Sequence, residues 1–153
     1  MKRITVMLKW TIKPFEALSV TELYEILFLR SDVFIVEQNC VYNVVDNNDK
    51  AALHLYGEFE CEIIAYARIF KSHDYYETSS IGRVVVKAGY RDSNWGHELM
   101  NKAIETISEN LHESKITISA QLYLKRFYES HDFIAVGESY LEDDIPHIKM
   151  IRG

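Results

Sequence analysis

The chain has 153 residues, a length that suits one domain with a core of its own. It is 48% hydrophobic and 26% charged, with 2 prolines and 6 glycines, which excludes a disordered, collagenous or fibrous chain. With 17 Lys and Arg against 23 Asp and Glu, the formal net charge is −6, a field that repels phosphate backbones, so nucleic acid is not an expected partner.

The amino end, MKRITVMLKW, begins with Lys2 and Arg3 as a secretory signal would, but Lys9 and Lys13 interrupt the apolar run short of signal length. No apolar stretch approaches the roughly 20 residues of a membrane helix, so a cytoplasmic protein without a membrane partner is expected. Ile4 to Thr11 are β-branched or aromatic enough for a first strand, closed by Pro14. Ser19 stands at capping-box spacing from Glu22 and opens a long amphipathic helix, in which Val20, Leu23, Leu27 and Phe34 recur at steps of three, four and seven. Asn43 to Lys50, rich in Asn and Asp and without periodicity, reads as a loop.

Leu53 to Phe59 and Ile63 to Phe70 form a hairpin through Glu60, Cys61 and Glu62, and polar His73 to Ser80 leads to a further strand, Ile81 to Val86. From Trp95 to Leu111, the residues Met100, Ala103, Ile104, Ile107 and Leu111 keep the helical period for more than four turns. Ile116, Ile118 and Ala120 alternate with polar residues as a half-buried strand, and Leu124, Phe127 and Tyr128 mark a short helix. Strands around Phe133 to Tyr140 and His147 to Ile151 bracket the acidic loop Glu142 to Asp144. The order β, α, β, β, β, α, β, α, β, β has no repeat or linker, and predicts one α/β domain over residues 1–153 with a mixed sheet.

Cys40 and Cys61 are in neither a CxxC nor a zinc-ligand spacing, and are expected as reduced thiols. Histidines at 54, 73, 97, 112, 131 and 147 show no HExxH or paired ligand spacing, so no metal is expected, and no GxSxG elbow is present.

The segment VVVKAGYRDSNWGHELM, Val84 to Met100, joins an apolar strand to a helix through a loop, and such a helix start offers unpaired amides to a phosphate. It resembles the acetyl-CoA loop of the GCN5-related N-acetyltransferases (GNAT): Arg91 holds the first position, Gly96 the last, Asn94 stands for the first glycine and Trp95 fills the variable place. Asn tolerates left-handed backbone, so the turn can form, while Asp92 puts a carboxylate near the anion. FLRSDVFIVEQNC at Phe28 to Cys40 resembles the LRxxVFxxEQ segment of the ElaA-like branch, which is also echoed in acyl-homoserine-lactone synthases. GRVVV at Gly82 to Val86, AQLYLKRFY at Ala120 to Tyr128 and IPHIKM at Ile145 to Met150 fall at ElaA-like spacings as well. The resemblance covers nearly the whole chain. It departs where Asp132 precedes Phe133, a place usually held by a left-handed glycine.

The resemblance implies a mixed, mostly antiparallel twisted sheet flanked by helices, and an N-acetyltransferase that moves the acetyl group of acetyl-CoA to an amine by direct attack. It places the pantetheine arm along the backbone of Val84, Val85 and Val86 and the pyrophosphate at the loop Arg91, Asp92, Ser93, Asn94, Trp95, Gly96 and His97, with Trp95 chiefly packing. Tyr128 matches the tyrosine that donates a proton to the departing thiolate, a role suited to a phenol that need not ionise beforehand. The attacking amine must be a free base, and the candidates to deprotonate it are Glu37, His54 and His147. An acceptor pocket is expected between the end of the first helix, His54, Arg68 and the loop before His147, for a small-molecule or protein amine. The same features also suit a catalytically silent acyl-CoA sensor, and a homodimer is compatible with the family.

Overall fold

The computed structural model describes residues 7–153; Ile4, Thr5 and Val6 of the expected first strand lie outside the described residues. Seven strands form one sheet: β1 (Lys9–Pro14), β2 (Leu53–Phe59), β3 (Glu62–Phe70), β4 (Ser79–Val86), β5 (Ile116–Gln121), β6 (Ile134–Glu142) and β7 (Ile145–Arg152). Their spatial order is β1-β2-β3-β4-β5-β7-β6, and all neighbours are antiparallel except β4 and β5. Three helices complete the fold: α1 (Val20–Ser31), α2 (Trp95–Asn110) and α3 (Lys125–Glu129). Among the described residues no helix is long and apolar enough to cross a membrane.

The element order matches the periodicities of the chain, with adjustments at several element ends. β1 runs on to Pro14 instead of stopping at Thr11, because an edge strand leaves room for a residue without an N–H. The Glu60–Cys61 and Asp143–Asp144 links are tight two-residue turns with φ of 49°, 66°, 50° and 62°, so their strands continue to the turn itself. Paired left-handed residues match the right-handed twist of a hairpin, a role usually given to Asn-Gly and held here by side-chain-bearing residues. Of the acidic stretch Glu142 to Asp144, Glu142 is therefore strand and the two aspartates are the turn.

The helices cover opposite faces of the sheet. α1 buries Ile26 and Leu29 against Tyr56, Ile63 and Tyr66, while α2 buries Leu99, Met100, Ala103 and Ile107 against the other face. α1 starts in a complete capping box: Ser19 Oγ accepts from Glu22 N–H at 3.0 Å and Glu22 Oε1 accepts from Ser19 N–H at 2.8 Å. α2 has no side-chain cap at all. Leaving it uncapped costs about 1 kcal/mol, whereas burying Leu99, Met100 and Ile107 contributes about 2 kcal/mol each, so packing fixes this helix and leaves its first amides free.

The aperiodic loop after α1 is tied down by buried charge. Asp49 lies 2.8 Å from Arg30 and 3.1 Å from Arg68, and Asp46 takes Arg68 at 2.8 and 2.9 Å and Arg83 at 3.4 Å. Arg30 also donates to Val44 O. Replacing Asp49 with Ala leaves the buried Arg30 guanidinium without a carboxylate and takes one of the two that hold Arg68, and is expected to lower unfolding free energy by about 3 to 5 kcal/mol, measured by urea titration. Glu22 gives a pH signature: its bonds to Lys13, Ser19 and Tyr56 pull its pKa from 4.5 to about 2. That stabilisation is complete above pH 4.5 and is lost as pH falls toward about 2. A Glu22→Gln variant should lack that part of the acid limb in thermal melts from pH 6 downward.

Candidate active site

β4 and β5 pair only at Ser79 with Ile116 and Ser80 with Thr117. Past that point β5 stays with β7 along its whole length, while β4 keeps only β3, so the two strands diverge like a fork. The closed end is pinned by a 2.6 Å bond between the Thr78 and Thr117 hydroxyls and by Glu113, which accepts from Ser79 and Ser72. The open end is a groove of about 490 Å³ bounded by Ile81 to Val86 on one side and by Ser119, Gln121, Leu124 and Tyr128 on the other.

A bulge shapes the β4 wall. Arg83 and Val84 together face the single residue Ala67, and Arg83 takes φ 50°. The extra residue bends the strand and changes which groups face the fork. Beyond it, the backbone of Val84, Val85 and Val86 lines the groove, with one edge lacking a strand partner among the described residues. Such an edge can pair with an extended amide-bearing ligand.

The groove then reaches the start of α2 at Gly96. Asn94 takes φ 64°, the left-handed angle that the turn requires, and the first intrahelical bond runs from Glu98 N–H to Asn94 O at 3.3 Å. The amides of Trp95, Gly96 and His97 thus precede the helical ladder and can receive an anion. The Trp95 indole points away from the groove, packed against Phe59 and Tyr90 with ring centroids 5.9 and 5.8 Å apart. The side chains of Asp92, Ser93 and Asn94 are exposed and do not line the groove. His97 instead meets His131, Nδ1 to Nε2 at 2.8 Å.

Arg91 lines the groove, but its guanidinium is committed to protein partners. It forms a two-pronged pair with Glu37 at 2.9 and 2.7 Å and donates Nε–H to Val86 O at 2.9 Å. Glu37 ends the segment Asp32–Glu37, where α1 loosens into a π-helical turn with Gln38 N–H bonded to Val33 O. The next residue, Gln38, exchanges side-chain amide bonds with Gln121 at 3.4 and 3.2 Å. Glu37 therefore reaches the β4 side of the fork and Gln38 the β5 side, so this turn straddles the groove. Its bond with Arg91 holds the Glu37 carboxyl below the usual carboxylate range, which makes Glu37 a weak proton acceptor.

Tyr128 and His147 also come together on the groove wall. Tyr128 is 6% exposed, its hydroxyl makes no hydrogen bond among the described residues, and burial raises its pKa, so it stays a protonated donor at neutral pH. His147 donates from Nδ1 to Ile145 O at 2.7 Å, since a carbonyl can only accept, and its Nε2 lies 3.1 Å from Glu142. His54 is a correction: it is fully buried, does not line the groove, and bonds the Tyr66 hydroxyl at 2.7 Å and Asp49 O at 2.8 Å. With both ring nitrogens engaged it braces the buried charge network and has no lone pair to offer a substrate.

Several lining residues were not singled out from sequence: Gln121, Tyr75, Tyr76 and Glu142. Gln121 lay within the AQLYLKRFY match without an assigned role. Glu142 was legible only as an acidic loop residue, and the hairpin register that brings it to His147 would have been the signal. Among the described residues no group of three or more His, Cys, Asp or Glu is placed to hold a metal ion.

Comparison with known proteins agrees with this architecture. A family model described as the acetyltransferase (GNAT) domain matches residues 30–152. Protein ElaA of Escherichia coli is 43% identical over 148 residues, covering 95% of this chain and 97% of that protein. Its crystal structure superposes with a TM-score of 0.90 over 96% of this chain and all of that one, at 42% identity. An acyl-CoA N-acyltransferase from Pseudomonas aeruginosa superposes with a TM-score of 0.91 at 38% identity, with the same coverage of both chains.

The Glu37–Arg91 pair can be measured directly. In a double-mutant cycle, Glu37→Ala and Arg91→Ala should be non-additive in urea unfolding by about 0.5 kcal/mol, the scale of a well-aligned exposed pair.

Proposed function

We propose, because the chain belongs to the acetyltransferase (GNAT) family, that it transfers the acetyl group of acetyl-CoA to a primary amine by direct attack, in the cytoplasm. The observation that carries this reading is the convergence of three features on one groove: the free edge of Val84 to Val86, the uncapped start of α2 at Gly96, and the unpartnered hydroxyl of Tyr128. The β4 edge suits the amides of the pantetheine arm, and the α2 amides suit the diphosphate. The name of the Pseudomonas relative, an acyl-CoA N-acyltransferase, supports the same donor.

In this reading the free amine attacks the thioester carbonyl, a C–N bond forms and the C–S bond breaks. The Tyr128 hydroxyl supplies the proton that the leaving thiolate needs. The proton shed by the amine leaves through the His147–Glu142 pair on the groove wall, where a carboxylate oxygen lies 3.1 Å from Nε2. Of the three bases expected from sequence, His147 fits best, because Glu37 is committed to Arg91 and His54 lies off the groove.

Acetyl-CoA should bind with a calorimetric heat at one site per chain and release free thiol when a suitable amine is added. No heat at millimolar ligand would sink the proposal, and binding without thiol release across a broad amine panel would assign the groove to a silent acyl-CoA sensor. Tyr128→Phe should lower kcat by about a hundredfold while changing acetyl-CoA affinity by less than about twofold. Equal losses in both would contradict the proton-donor role.

A further inference from the structure

The acceptor end of the groove can be read by asking which of its charges are already spent. Three arginines line it, and each is taken. Arg68 is held by Asp46 and Asp49, Arg83 by Asp46 with its guanidinium carbon 5.4 Å from the Tyr42 ring centre, and Arg91 by Glu37. No lysine lines the groove among the described residues. An acceptor bearing a carboxylate or phosphate would thus find each lining guanidinium already facing a protein carboxylate, and would meet the carboxylates of Glu142 and Asp143 on the β6–β7 turn.

The opposite wall is aromatic. Tyr75 stacks on Phe70 with centroids 5.0 Å apart and planes 13° from parallel, and Tyr76 stands edge-on to Tyr75 at 4.9 Å and 89°. Burial, with Tyr75, Tyr140 and Glu142 nearby, pushes the Tyr76 hydroxyl up to about 12, so that ring stays neutral and electron-rich at working pH. Half-exposed rings beside a carboxylate attract an alkylammonium twice over, through the ring quadrupole and through charge. A neutral tail would gain neither and would still displace water from Glu142.

We infer that the acceptor is an alkyl amine carrying a second positive charge, with Glu142 and the rings of Tyr75 and Tyr76 holding that charge while the other amine reacts. The inference rests on the acetyltransferase reading for its reacting end. It makes Glu142 a specificity-determining residue and narrows the acceptor to diamines and their larger relatives.

The test is calorimetry on the protein loaded with CoA, using 1,5-diaminopentane, pentylamine and 5-aminopentanoate, which share a chain length and differ in tail charge. The diamine should bind about tenfold tighter than pentylamine, the aminopentanoate more weakly than either, and added salt should shrink the difference. Glu142→Gln, which keeps the side-chain shape, should erase the advantage of the diamine. Equal or tighter binding of either comparison amine, no binding of the diamine, or an advantage that survives in Glu142→Gln overturns the inference. Acetyl-CoA is titrated in the same series: a normal acetyl-CoA heat with no diamine preference defeats only this inference, whereas no acetyl-CoA heat defeats the acetyltransferase reading and this one together.

Discussion

Everything at the site depends on two neighbouring strands that stop pairing. β4 and β5 share only the two residue pairs at Ser79 and Ser80, and each then follows a different partner. Unpaired backbone inside a sheet is costly unless something else satisfies it. Here the divergence creates a groove whose wall presents those groups to a ligand. The closed end bears the load: the Thr78–Thr117 bond and the Glu113 carboxylate hold the strands together where the fork begins.

The end of α1 acts as a crosspiece over that fork. One residue of the π-helical turn reaches Arg91 after β4 and the next reaches Gln121 at the end of β5. A π-helical turn widens the ring by one residue, which lets consecutive side chains splay to opposite sides, and such turns often mark functional sites. The buried arginines beneath the crosspiece add a second constraint. Because Arg30 and Arg68 are neutralised within the protein, they shape the acceptor end without lending it positive charge.

Much of the scaffold was legible from local chemistry. Ser19 and Glu22 announced the first helix, the spacing of Met100, Ala103 and Ile107 announced the second, and Asn94 and Asp132 take the left-handed angles, φ 64° and 68°, that their places demand. The site was legible as segments, since Val84 to Val86, Gly96, Tyr128 and His147 do line one groove. Partnerships were not legible. Glu37 and Arg91 are 54 residues apart and Gln38 and Gln121 are 83 apart, and no periodicity links such positions. His54 shows the same limit: a strand histidine reads alike whether it faces a substrate or a buried tyrosine, and only the β2–β3 packing decides.

The bulge at Arg83 and Val84 divides β4 into two phases. The half that pairs with β5 and the half that walls the groove are offset by one residue, so side chains alternate on one schedule before Arg83 and on the other after it. Spacing along this strand therefore matters in a way that side-chain identity does not. Deleting a single residue there would restore an unbroken ladder with β3 and straighten the strand, while many hydrophobic exchanges would leave the geometry intact. Over evolutionary time such a strand can vary in composition far more freely than in length.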